Sequence, residues 1–191
     1  MPKLDGKRVA ILATNGFEEV ELTEPMTALK EAGAQVHVIA PESGTIRAWD
    51  QDHWSGAVNV DLTLSEAQAD DYDSLVLPGG VMNPDTLRTN ADAIAFIEAF
   101  FEAGKPVASI CHGPWLLIEA GAAKGRRLTS YPSIKTDLIN AGAEWVDEDV
   151  VVDQGLVTSR NPGDLPAFIG KVIEETREGV HEAQREQFVA A

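Results

Sequence analysis

The chain contains a single cysteine, Cys111, followed directly by His112 within KPVASICHGPWLLIEAG, residues 105–121. A thiolate is a competent nucleophile at neutral pH, and an imidazole beside it can take up or return a proton. Val107 to Ile110 reads as an apolar strand, while Gly113 and Pro114 open a helix that ends near Gly121. Proline is tolerated in that first turn because no backbone donor is needed there. Cys111 and His112 then sit on a sharp strand-to-helix turn. Helix amides and their dipole favour an anion at such a point, so the thiol is expected to ionise more readily than a free one. A lone cysteine is otherwise a small buried hydrophobe. The strand, the elbow and the adjacent histidine weigh for a nucleophile, although the G-x-S-x-G form of the hydrolase elbow is absent.

The elements that must hold this turn alternate along the chain. Short β-branched runs at 9–12, 36–39, 75–77 and 107–110 are interleaved with helical patterns at 24–32 and 93–103. That rhythm predicts an α/β fold with a parallel sheet buried on both faces. Each strand runs into a polar or glycine-bearing loop: Thr14, Asn15 and Gly16, then Pro78, Gly79 and Gly80, then Cys111 and His112. Ligands in such sheets bind beyond the carboxyl ends of the strands. Residues 41–57 read as a loop or short hairpin carrying Trp49, His53 and Trp54, and 150–152 with 156–158 read as a hairpin. A last helix is predicted over 166–178, followed by a polar tail after about 179 that is either a helical or frayed extension or a docking segment for a neighbouring subunit.

The segments ASICHGPW, LVLPGG, NGFEEVEL and TSYPSIKTDLINAGAEWVD followed by VVVDQGLVTSRNPGDL resemble the ThiJ/PfpI superfamily, in order and spacing, over roughly residues 7–175. The PfpI-like branch, intracellular protease I and the general stress proteins, fits best. The resemblance implies a flavodoxin-like three-layer sandwich with a mostly parallel central sheet, related to class I glutamine amidotransferases, in one domain spanning 1–191. It also implies that Cys111 is the reactive nucleophile, His112 the histidine that follows it, and Glu21 the pocket glutamate that hydrogen-bonds the sulfur. Glu18 matches a second acidic position at the pocket rim, and Tyr131 a position near the cysteine. By the same resemblance the Gly80 amide, with that of His112, forms an oxyanion hole. Pro84 and Asp85 hold the place where PfpI-like proteins use a proline and then an acid, usually glutamate, that reaches the histidine of a neighbouring subunit. Asp85 is one methylene shorter, and it is equally well read as a helix N-terminal residue.

Glu18, Glu19 and Glu21 crowd one turn, so like-charge repulsion and burial beside a thiolate are expected to raise at least one pKa. A protonated Glu21 then donates to the sulfur and shuttles a proton. Tyr131 either lines the pocket or is buried against backbone; Trp49, His53 and Trp54 either narrow the pocket or belong to the core or a subunit contact.

Fifteen basic against 31 acidic residues give a formal charge of −16, which argues against nucleic acid and anionic membrane as partners. Hydrophobic residues at 44% and charged residues at 24% are ordinary globular usage. The N-terminus lacks an apolar signal core and no apolar run nears the ~20 residues of a membrane span; a soluble, cytoplasmic protein is expected. One cysteine excludes an intrachain disulfide, and histidines at 37, 53, 112 and 181 show no zinc spacing, so neither metal nor other cofactor is expected.

The function expected is a cysteine-dependent enzyme acting on small reactive carbonyls or glycated adducts, of glyoxalase or deglycase type, with peptide as a further substrate and a homodimer or larger homo-oligomer as its form. The alternative is a redox-responsive stress protein in which Cys111 is oxidised. A glutamine amidotransferase needs a distant His-x-Glu pair, which the chain lacks, since Glu182 follows His181 directly.

Overall fold

The computed structural model describes residues 4–190. The chain begins with β1 (Arg8–Leu12), β2 (Phe17–Glu18), α1 (Glu19–Glu31) and β3 (Gln35–Ala40). A hairpin of β4 (Thr45–Asp50) and β5 (His53–Asn59) leads to β6 (Leu62–Thr63), β7 (Ser74–Leu77), α2 (Met82–Leu87) and α3 (Ala91–Glu102). Then come β8 (Val107–Ile110), α4 (Trp115–Glu119), β9 (Arg127–Leu128), α5 (Lys135–Asn140) and β10 (Glu144–Trp145). β11 (Val151–Asp153), β12 (Leu156–Ser159), α6 (Leu165–Glu178) and α7 (Glu182–Ala190) complete it.

The central sheet has the order β11-β12-β8-β7-β1-β3-β6, parallel except where β11 meets β12. Its strands are buried on both faces because their side chains alternate between two apolar layers. In β1, Val9 and Ile11 pack with Leu22, Leu29, Phe168 and Val172 of α1 and α6. Ala10 and Leu12 join Phe96, Phe100, Phe101 and Leu116 of α3 and α4 on the other side. This is the parallel sheet buried on both faces that the alternation of runs predicts, in the three-layer sandwich that the resemblance implies. From β1 the chain winds one way through β3 and the other way through β7 and β8, so the loops after β1, β7 and β8 meet at the switch point.

The first helix differs from the sequence reading, and two segments settle options it left open. α1 starts at Glu19 rather than 24 and accommodates Pro25 in its interior. Of the loop or short hairpin expected over residues 41–57, the structure has the hairpin, β4–β5, with Trp49 opposite Trp54. Of the options expected for the tail the structure has the helical extension, α7, which docks on its own chain. Phe188 stacks on Phe101 at 5.5 Å, and fully buried Gln184 donates to the Lys105 carbonyl at 2.6 Å. Apolar contact at one end and a satisfied amide at the other give this segment tertiary partners that its polar composition conceals. Among the described residues no helix is long and apolar enough to cross a membrane.

Beneath α7 the almost fully buried Arg126 guanidinium meets Asp153 at 3.1 Å, and Asp153 also accepts the Arg127 amide at 2.9 Å. Removing the carboxylate leaves an uncompensated buried cation. Asp153→Ala is expected to destabilise the protein by about 3 kcal/mol in urea unfolding, with the slope unchanged.

Candidate active site

Fully buried β8 delivers Cys111 at φ +62°, a left-handed conformation that a non-glycine residue adopts at a cost of about 1–3 kcal/mol. The strained turn is tied on both sides: the Cys111 amide donates to the Ser159 carbonyl at 3.0 Å, and its carbonyl accepts from the Tyr131 amide at 2.8 Å. The thiol is thereby aimed into the switch-point crevice, with only 6% of the residue exposed.

Glu21 lies in the first turn of α1, 0% exposed. Its Oε2 accepts from the Gly79 amide at 2.9 Å, while the buried Oε1 lacks a hydrogen-bond partner of its own. Burial first, and then the charge of Glu18, push its pKa up to about 8, against the hydrogen bonds from Gly79 and with Cys111. The carboxyl is therefore neutral at pH 7. Its proton belongs on Oε1, since Oε2 already takes an N–H. A side chain at Gly79 would collide with Cys111 Cβ and Glu21 Oε2, both at 2.5 Å from the added carbon. Gly80 has φ +79°, and a side chain there would strike the Gly16 carbonyl and the Glu18 amide. Gly79 lets the loop after β7 pass close against both thiol and carboxyl, and the amides of Gly80 and His112 both hydrogen-bond the sulfur.

The expectation of an easily ionised thiol is not met. α4 begins only at Trp115 and is five residues long, so its dipole has little reach at Cys111. Burial, followed by the negative charge that Glu21 carries when ionised, raises the thiol pKa, and the Gly80 and His112 amides offset only part of this. The crowded acids behave as expected, Glu18 also being raised by burial.

His112 Nδ1 stands 3.2 Å from the sulfur, and its Nε2 is 3.0 Å from the Ser133 hydroxyl. The ring stacks on Tyr131 at 4.8 Å and meets the Trp115 edge at 5.3 Å. Burial lowers its pKa, so the imidazole is neutral. In the tautomer that carries its proton on Nε2, Ser133 accepts that proton's hydrogen bond and Nδ1 faces the thiol as an acceptor.

A cavity of about 590 Å³ opens over these groups, lined by Glu18, Glu21, Gly80, Cys111, His112 and Tyr131. Tyr131 is 40% exposed and is a wall of the pocket rather than a buried tyrosine. Trp49, Gln51, Val81, Met82 and Pro162 complete the lining. Trp49 packs edge-on to Trp54 at 5.4 Å and is braced through its indole N–H by the Gln51 carbonyl at 2.9 Å, whereas His53 is exposed outside. Asp85 lies on the exposed side of α2, and within the chain the partner of His112 is Ser133. Sequence reasoning missed Ser133, Gln51, Val81, Met82 and Pro162. The paired tryptophans in one hairpin were the available signal for that wall; Ser133 offered none.

A thiol on a strained elbow, with an imidazole, a neutral carboxyl and two amides around it at the switch point of a parallel sheet, defines a cysteine-centred α/β site. The chain belongs to the DJ-1/PfpI family, whose model matches residues 7–175. It is 46% identical over 167 residues to the deglycase PfpI of Pyrococcus furiosus, covering 87% of this chain and 98% of that protein. It is also 46% identical over 164 residues to general stress protein 18 of Bacillus subtilis, covering 85% and 94%. The solved structure of Drosophila melanogaster DJ-1beta superposes with a TM-score of 0.81 at 28% identity, covering 96% of each chain.

Glu21→Gln removes the charge that opposes ionisation of the sulfur. The pH midpoint of iodoacetamide alkylation at Cys111 is expected to move down in this variant. An unchanged or higher midpoint would show that Glu21 does not govern the thiol.

Proposed function

We propose that this chain is a deglycase of the PfpI type, in which Cys111 attacks early adducts formed between a 1,2-dicarbonyl and an amine. The observation that carries this reading is the neutral, buried Glu21 carboxyl fixed beside the sulfur. Acyl transfer to water alone has no need of a second acid there, whereas isomerising a carbonyl adduct needs one group that both gives and takes protons.

Attack by sulfur on the carbinol carbon of the adduct forms a C–S bond and breaks the C–N bond. The thiol proton, taken by His112 Nδ1, goes to the departing amine. The adduct left on sulfur bears a hydroxyl beside a ketone. Glu21 gives its proton to the ketone oxygen and takes one from the carbinol carbon, yielding an enediol. It then protonates the former ketone carbon as the other hydroxyl proton returns to it, so Glu21 starts and ends neutral and a thioester remains. Water, deprotonated by His112, hydrolyses the thioester to a 2-hydroxy acid and restores the thiol. The amides of Gly80 and His112 receive the oxyanion of this last step. A free dicarbonyl enters the same sequence without the amine.

Tyr131 and Trp49 supply flat apolar walls for the substrate, and Glu18 a polar rim. Peptide hydrolysis asks for an imidazole oriented by Asp85 of a partner subunit, while the carbonyl sequence uses only groups assembled within one chain. The alternative, oxidation of Cys111 in a redox-responsive protein, has no use for a proton-bearing carboxyl beside the sulfur, and the buried Glu21 favours the carbonyl sequence over it.

Release of 2-hydroxy acid from a methylglyoxal-modified peptide tests the reading. Cys111→Ser and Glu21→Gln are each expected to lose at least ~100-fold in turnover. Wild-type turnover is expected to fall as pH rises through about 8, where Glu21 loses its proton. Undiminished hydroxy acid formation by Glu21→Gln would sink the proposal.

A further inference from the structure

His181 lies beyond the family-matched segment, in a tail whose sequence held no site candidate. In the fold it returns to the end of α6. Glu175 and Glu178, three residues apart on one helical face, and His181, just past the Gly179 turn at φ +89°, bring their ligating atoms within 4.8 Å of one another. The Glu175 side chain is only 7% exposed, and its Oε2 is 3.0 Å from His181 Nε2. Both atoms are buried, yet neither makes a hydrogen bond. The contact has the length of an ion pair without the alignment of a hydrogen bond, so an oxygen and a ring nitrogen converge on one point. Among the described residues no lysine or arginine forms an ion pair with either glutamate; Lys171, whose charge reaches both, is paired with Glu174 at 2.7 Å.

We propose that Glu175, Glu178 and His181 form a binding site for a divalent transition-metal ion of the zinc type, stapling α7 to the end of α6. One imidazole and two carboxylates suit such an ion better than calcium or magnesium, which favour all-oxygen shells. A tetrahedral ion with bonds of about 2.0–2.2 Å holds its donors roughly 3.3 Å apart, close to the spacing already present between Glu175 and His181. Glu178 is exposed and reaches the third position by side-chain rotation, and water takes the fourth. The His181 amide, held by the Gly104 carbonyl at 2.8 Å, fixes the backbone that carries the imidazole. The site is separate from the cavity above Cys111, none of its three residues lining that cavity.

Calorimetric titration of the full-length, chelator-stripped chain with zinc chloride tests this, in a Cys111→Ser background so that the thiol is not a competing ligand. One equivalent is expected to bind. Glu175→Gln, His181→Ala and the exposed Glu178→Gln are each expected to weaken binding at least about tenfold. Zinc should raise the melting temperature of the parent and shift that of Glu178→Gln less. Because Glu178 is exposed, this variant tests the site without disturbing the fold. Absence of saturable binding, or affinity undiminished in both Glu178→Gln and His181→Ala, would overturn the proposal.

Discussion

A carboxyl group buried with nothing but a backbone amide and a thiol to speak to keeps its proton. Glu21 is in that position: the Gly79 amide occupies one oxygen, Glu18 discourages a second negative charge, and burial withdraws the water that would otherwise stabilise the ion. The same burial holds the Cys111 proton in place. The two acids thus restrain each other, and the site can develop negative charge on sulfur only with Glu21 neutral beside it. An acid and a nucleophile are poised side by side, which is the pairing that proton-shuttling carbonyl chemistry requires.

The scaffold exists to hold that pair. Three loops, after β1, β7 and β8, converge because the sheet winds in opposite directions from β1. The loop after β7 has to pass hard against both the thiol and the carboxyl, and only glycine at 79 leaves space for it. The left-handed Cys111 is paid for by a stiff β8 and by hydrogen bonds to the β12 end and to Tyr131. His112, pinned between Tyr131, Trp115 and Ser133, adds a base whose neutral form is favoured by the same exclusion of water.

Much of this was legible in the chain itself. Buried parallel strands must be short apolar runs, and β1, β7 and β8 announce themselves that way, as do the glycine and cysteine-histidine turns that follow them. The β11–β12 hairpin was equally clear, its turn marked by Gly155. What escaped depends on tertiary context. Ser133 reaches His112 from another part of the chain, and a serine carries no signature of its partner. Gln51 adopts φ +53° without being glycine, so nothing marks the position of the turn that decides between loop and hairpin and carries Trp49 to the pocket. The ionisation of Cys111 was misjudged because a helix dipole is a local inference, while burial is set by everything packed around the sulfur. For the same reason the polar tail gave no warning that Gln184 and Phe188 would find buried partners.

Infrared difference spectroscopy between the wild type and Glu21→Gln across a pH series measures the proton on Glu21 directly. A protonated-carboxyl band present at pH 6 and 7, absent from the variant, and fading with a midpoint near 8 is the expected result. A wild type that lacks this band at pH 6, or loses it at the pH of an ordinary glutamate, would contradict the account.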